Sequence, residues 1–302
     1  MSINDKNNDQ IYIISPSSAV SPPSSLKRAQ QRLAELGFDT ILDPDVYAVY
    51  ERFAGTDAQR LAAFERALAQ PAPYVLASRG GYGLSRLLPH INWPAVARSG
   101  KQFIGHSDFT AFNLALYAQT QTISYAGPCA AFDFGGDSLD EDMAQWFCSM
   151  LRGEQAQLAF STQALRPYQY PFNAAGVLWG GNLALLCSLV GTPYLPAIEG
   201  GILFLEDVSE HPYRIERMLT QLHMAGILSK QKAILLGSFT DYRLGPADRG
   251  YRLESVWRWL AQNAGVPVFL GFPYGHVPRK ATLPIGAGVR LHVDGQSGRL
   301  YF

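Results

Sequence analysis

The chain has 302 residues, 47% of them apolar and 17% charged, which excludes global disorder and exceeds what one compact core usually holds, so two domains are the default. Its 25 basic residues balance 25 acidic ones; no charge excess supports a nucleic-acid groove or an anionic membrane face, and a small or mixed-charge molecule is the expected partner. Cys129, Cys148 and Cys187 are odd in number and lack the close spacings of metal sites or redox pairs, so they read as buried small apolar residues in a reducing compartment.

The opening stretch from Met1 to Gln10 is polar, with no apolar core and no small-residue cleavage site, so it is not a secretory signal. No run in the chain approaches the length of a spanning helix, and the expected location is the cytoplasm. Residues 11–14 (Ile-Tyr-Ile-Ile) form a short apolar run, as a buried parallel strand would, and Ser15-Pro16-Ser17-Ser18 turns at its end. From Ser25 a helix places Leu26, Ala29, Leu33 and Leu36 on one face and stops at Gly37. A second strand runs from Phe38 to Leu42. Thr56 and its followers cap a helix through Leu68, before the break at Pro71 and Pro73. Tyr74 to Ala77 is a third strand, and it ends in Ser78-Arg79-Gly80-Gly81-Tyr82-Gly83.

The strand Gln102 to Ile104 then leads into Gly105-His106-Ser107-Asp108, with a helix from Phe109 through Tyr117. Strand alternating with helix implies an α/β fold with a mainly parallel sheet and ligands at the strand C-terminal ends. A helix over 137–151 closes this part, and the polar, irregular stretch 153–170 marks the domain junction. Beyond it, strands are predicted at 202–205, 233–237, 266–270 and 289–293, helices at 182–190, 215–225 and 253–263, and a closing hairpin over 293–301.

Strand, glycine, serine and immediate helix start are the marks of a nucleophile elbow. The chain reverses sharply and leaves the Ser107 oxygen exposed, while the N–H of Asp108 sits at a helix start where it can hold an oxyanion. Arg79-Gly80-Gly81-Tyr82-Gly83 lacks the spacing of a dinucleotide or P-loop motif. It is either a tight turn that glycine alone can follow or a second oxyanion donor through Gly80 or Gly81. His276, in Pro273-Tyr274-Gly275-His276-Val277-Pro278, lies on a loop off any apolar helical face and is a candidate base. Glu206 leaves an apolar strand, either as a capping residue with Asp207 or as the acid that orients an imidazole. His106, adjacent to Ser107, is expected to point away from it. Trp179-Gly180-Gly181-Asn182 reads as a turn entering a helix, and as either a cleft wall or a helix cap. No His, Cys or carboxylate pair has zinc-ligand spacing, so no metal and no cofactor is expected.

These motifs together resemble the LD-carboxypeptidases, the muramoyltetrapeptide carboxypeptidases, which are serine peptidases. The likeness covers most of the chain. It comprises Ser15-Pro16-Ser17, Ala54-Gly55-Thr56-Asp57, Arg79 to Gly83, Gly105 to Asp108, Trp179 to Leu183, Leu205 to Val208, Pro212 to Leu219, and Gly271 to His276. One departure stands in the elbow, where His106 replaces the tyrosine usual in the family. The resemblance implies a Ser107–Glu206–His276 triad, with backbone oxyanion donors at Gly81 (or Gly80) and Asp108. It implies a Rossmann-like N-terminal domain over 1–155, a linker over 156–175 and a β-rich, barrel-like C-terminal domain with helices over 176–302.

The activity implied is release of the terminal D-alanine from murein tetrapeptides during peptidoglycan recycling, by a homodimer without cofactor, nucleic acid or membrane. A terminal carboxylate calls for a guanidinium, with Arg79, Arg214 and Arg279 as candidates, and Trp179 for the substrate wall. Alternatives are an amidase of the same fold giving immunity to a peptidyl-nucleotide antibiotic, a non-catalytic peptide-binding protein, and a nucleotide-dependent enzyme.

Overall fold

The computed structural model describes residues 9–302, so the polar opening segment and the expectation attached to it lie almost wholly outside the described residues. β1 (Gln10–Ile14) is apolar without alternation because both faces of the sheet are covered. It is followed by α1 (Ser24–Glu35), β2 (Asp39–Leu42), α2 (Asp57–Ala69), β3 (Tyr74–Ala77), α3 (Trp93–Arg98), β4 (Gln102–Gly105), α4 (Thr110–Thr120), β5 (Ser124–Ala126) and α5 (Glu141–Leu151). α1 buries Leu26, Ala29 and Leu33, the stripe its periodicity predicts. α2 starts on a reciprocal cap, in which Gln59 N donates to Thr56 Oγ1 and Thr56 N donates to Gln59 Oε1. The five strands lie in the order β5-β4-β3-β1-β2, all parallel.

The second half contains β6 (Gln157–Ser161), β7 (Gln163–Ala164), β8 (Phe172–Asn182), α6 (Leu183–Ser188), β9 (Ile202–Val208), α7 (Pro212–Met224), β10 (Ala233–Thr240), α8 (Leu253–Asn263), β11 (Val268–Leu270), β12 (Leu283–Ile285), β13 (Gly288–Asp294) and β14 (Ser297–Tyr301). Its sheet runs β6-β14-β13-β8-β9-β10-β11-β7. The edge strands β6 and β7 are joined through the single residue Thr162, so the sheet must curl until its two edges meet. Thr162 fastens that seam, since its N–H donates to Gln296 O and its hydroxyl to Leu270 O.

Three features differ from the sequence reading. The stretch 156–175, expected as an irregular linker, supplies β6, β7 and the start of β8; exposed residues alternate there with less exposed ones on a half-solvated sheet. Trp179 to Asn182 is the end of an eleven-residue strand and not a turn, because Gly180 lets the backbone of β9 approach closely: a Cβ there would fall 1.9 Å from Phe204 O. β12 leaves the second half and pairs antiparallel with β5, extending the first sheet.

α4, which follows the elbow, is buried on every side from Thr110 to Tyr117. It lies between the halves and touches α3, β5, α6 and β8, which accounts for its almost wholly apolar sequence. One apolar cluster therefore runs without interruption from Tyr12 and Phe103 through Phe112 to Leu203, Leu236 and Leu260. No helix among the described residues is long and apolar enough to cross a membrane.

Candidate active site

β4 delivers the chain to the C-terminal edge of the parallel sheet. His106 is still extended (φ −134°, ψ 165°), and Ser107 then turns to φ 63° before a single tight turn leads into α4. A non-glycine residue held in the left-handed region is uncommon, and here it aims a serine side chain out of a strand-to-helix reversal. The loop after β3 faces this turn. A Cβ on Gly80 would stand 2.6 Å from Ser107 Cβ and 2.8 Å from its Oγ, so that only glycine fits beside the serine. Gly81, at φ +112°, is pressed in the same way against Ser18.

The acid comes from the second sheet. Glu206 lies inside β9 rather than at its end, fully buried. Its Oε2 sits 2.8 Å from His276 Nδ1, and its Oε1 accepts a 3.2 Å hydrogen bond from Asn182 Nδ2. Asn182 is held in turn, because its own oxygen caps α6 through Leu185 N at 3.1 Å. It also donates to Asp207 Oδ1, and burial together with the Glu206 charge pushes the Asp207 carboxyl up to about 6. His276 sits on the loop after β11. That loop is fixed by Ser238 N donating to Tyr274 O and by Ala281 N donating to Pro273 O, both at 2.8 Å.

A buried ion pair between Lys280 and Asp133 ties the same loop to the first half of the molecule. Asp133 also accepts a 2.7 Å hydrogen bond from Cys129 N. Neither this pair nor the bridging role of Asn182 was visible from local sequence. The one hint was a Lys four residues beyond the candidate base.

His106 was expected to point away from Ser107. It is 3% exposed and lies 4.3 Å from the His276 ring, with its Nε2 4.0 Å from Glu206 Oε1, a neighbourhood that local sequence did not show. Burial first, then the neighbouring Lys280 and His276, lowers the His106 imidazole well below its ordinary range. Its Nε2 has no hydrogen-bond partner among the described residues.

Ser107, His276, Arg79, Gly80 and Gly81 line one cavity of about 250 Å³, together with His106 and Val208. Cys129 also lines it, and burial pushes its thiol up to about 12, which keeps it out of nucleophilic chemistry. Asp108 places its side chain away from the cavity, fully buried and accepting from Leu84 N at 2.9 Å; burial raises its carboxyl. Its backbone N–H belongs to the first turn after the elbow, where helical donors lack partners within the helix.

Three of the candidate substrate residues are not in this cavity. Trp179 is 1% exposed, and its indole Nε1 donates to Gln231 Oε1 at 2.9 Å, deep beside β9. Strand alternation turned it into the core while Asn182, three places on, faces Glu206. Arg214 is the partner of Glu210 at 2.6 Å on α7 and does not line the cavity. Arg279 pairs with Asp140 and Asp142. Arg79 alone of the three arginines borders the cavity, with one guanidinium nitrogen on Ala19 O at 3.2 Å.

The model of the LD-carboxypeptidase N-terminal domain matches residues 11–127, and that of the LD-carboxypeptidase C-terminal domain matches residues 175–291. A probable murein peptide carboxypeptidase of Bacillus subtilis is 32% identical, over 94% of this chain and 89% of its own. A murein tetrapeptide carboxypeptidase of Pseudomonas aeruginosa is 30% identical, over 92% and 91%. Among solved structures, a muramoyltetrapeptide carboxypeptidase from Oxalobacter formigenes superposes with a TM-score of 0.88 at 38% identity, covering 96% of this chain and 97% of that one.

Proposed function

The chain belongs to the LD-carboxypeptidase family, and from that premise we propose that it is a serine carboxypeptidase releasing terminal D-alanine from murein tetrapeptides. The observation that carries the serine mechanism is the buried Glu206–His276 hydrogen bond at the wall of a cavity that Ser107 also lines. Glu206 accepts from His276 Nδ1–H, which fixes the tautomer and leaves the lone pair on Nε2 to receive the Ser107 proton. The Ser107 oxygen attacks the scissile carbonyl. The N–H groups of Asp108 and of Gly81 or Gly80 receive the oxyanion. His276 then returns the proton to the departing D-alanine amine, and water repeats the cycle on the acyl-enzyme. Glu206 steadies the imidazolium through both halves.

Arg79 is the guanidinium we assign to the substrate carboxylate, since it borders the cavity while Arg214 and Arg279 are held by acids elsewhere. We assign the enzyme to the cytoplasm, as a homodimer acting on recycled muropeptides. An amidase giving immunity to a peptidyl-nucleotide antibiotic would need an aromatic platform for the base, and Trp179, buried against Gln231, does not supply one.

The test is a panel of tri-, tetra- and pentapeptide muropeptides with identification of the released amino acid. D-alanine from tetrapeptide alone supports the reading. D-alanine from pentapeptide, or D-alanyl-D-alanine as product, refutes it.

A further inference from the structure

We propose that His106, Glu206 and His276 form a zinc site that switches this enzyme off when a divalent transition ion occupies it. The three side chains come from β4, β9 and the loop after β11, and one donor atom from each lies within 4.8 Å of the others. Chain spacing conceals the set, because the donors are separated by most of the molecule. Two imidazoles and a carboxylate are the donor types that zinc takes in open three-ligand sites, at about 2.0–2.2 Å per bond. Such bonds at tetrahedral angles place donors about 3.4 Å apart. Two contacts lie on either side of that value, one at each carboxylate oxygen: 2.8 Å from His276 Nδ1 to Glu206 Oε2 and 4.0 Å from His106 Nε2 to Glu206 Oε1.

The second, independent observation is His106 itself. Its Nε2 is buried, without a hydrogen-bond partner among the described residues, and faces Glu206. A buried polar atom left unpaired is costly and calls for an explanation. The ion would reach the site through the cavity that His106 and His276 both line, and its remaining position would face that cavity.

The inhibitory half of the proposal rests on His276 being the base. If the ion takes Nδ1, the ring proton resides on Nε2, which then cannot accept the Ser107 proton. If the ion takes Nε2, that lone pair is used directly. Both arrangements also withdraw Glu206 from orienting the ring. Turnover stops in either case, and the metal-free protein is the active form, so that chelation preserves activity.

The experiment uses the full chain stripped of metal. Zn²⁺ binding is measured by competition with a chromophoric chelator, Co²⁺ binding by its visible absorption, and tetrapeptide turnover under the same conditions. One Zn²⁺ per chain is expected, with an inhibition midpoint equal to the binding midpoint, full reversal by EDTA, and an intense tetrahedral Co²⁺ spectrum. Mg²⁺ and Ca²⁺ at the same concentrations should do nothing. His106→Phe, and His106→Tyr as a second variant should the first fold poorly, should each weaken Zn²⁺ binding at least tenfold and raise the inhibition midpoint in parallel. Each is compared with its own metal-free rate. Absence of stoichiometric binding, or binding unchanged in both folded variants, overturns the site. Binding that depends on His106 but leaves turnover intact upholds the site and refutes the assignment of His276 as base.

Discussion

Replacing Glu206 by glutamine tests the triad most sharply, because the surrounding hydrogen bonds dictate how the amide must sit. Asn182 donates to Glu206 Oε1 and cannot turn round, since its own oxygen is committed to Leu185 N. In Glu206→Gln the amide oxygen must therefore face Asn182, and the amide NH₂ must face His276 Nδ1. Nδ1 becomes an acceptor, the ring proton moves to Nε2, and the lone pair that would take the Ser107 proton is lost. The hydrogen-bond count is unchanged and a buried charge is removed, so the fold should persist. In the chymotrypsin-type triad the equivalent acid-to-amide change costs about 10⁴-fold in kcat, or about 5.4 kcal/mol at about 1.36 kcal/mol per decade. A loss of that order is expected here. Single-turnover kinetics on tetrapeptide should report it, and ¹⁵N imidazole shifts should show the His276 proton on Nε2. A variant within tenfold of the wild type, or one that retains Nδ1–H, would refute the reasoning.

Ser107→Ala and His276→Ala should each abolish turnover by several orders of magnitude, and the double variant should lose little more, because the groups act as a unit; additive losses would separate them. His106→Tyr should retain turnover within about tenfold under metal-free conditions, and if it is inactive while His276→Ala turns over, the base is His106. Gly80→Ala should fold but lose at least about 100-fold in kcat, since its Cβ would lie 2.6 Å from Ser107 Cβ and displacement by an ångström is enough to cost that much; unimpaired kinetics would show that the elbow is not confined there. Arg66→Gln addresses stability. Burial raises Asp43, but hydrogen bonds from Arg66 and Tyr12 outweigh it and leave the carboxyl below its ordinary range. The pair therefore stabilises the fold above about pH 4 and ceases to as pH falls below that. The variant should lose about 3 kcal/mol at pH 7 and show a flatter acid limb in denaturant melts; an unchanged melt at both pH values would contradict this.

The alternation of apolar strands with amphipathic helices over 10–120, the Thr56 cap and the closing hairpin were legible because each depends on neighbours within a few residues. So was the turn at Ser107, since a strand, a glycine and a helix start leave the chain little choice of path. The companions of that serine were legible only as candidates. Glu206 and Asp207 are adjacent, and no local pattern tells which one meets an imidazole; the pairing of β9 with β8, which sets Asn182 beside Glu206, decides it. Trp179 and Asn182 read as one motif, yet strand alternation sends the tryptophan into the core and the asparagine to the site. β12 joins a sheet formed more than 150 residues earlier in the chain, and Lys280 finds Asp133 across the same divide. His106 meets Glu206 and His276 through the same assembly. Periodicity specifies which face of an element is apolar, but it carries no label for the partner that will cover it. That choice is made by long-range burial and strand register, which exist only in the folded chain.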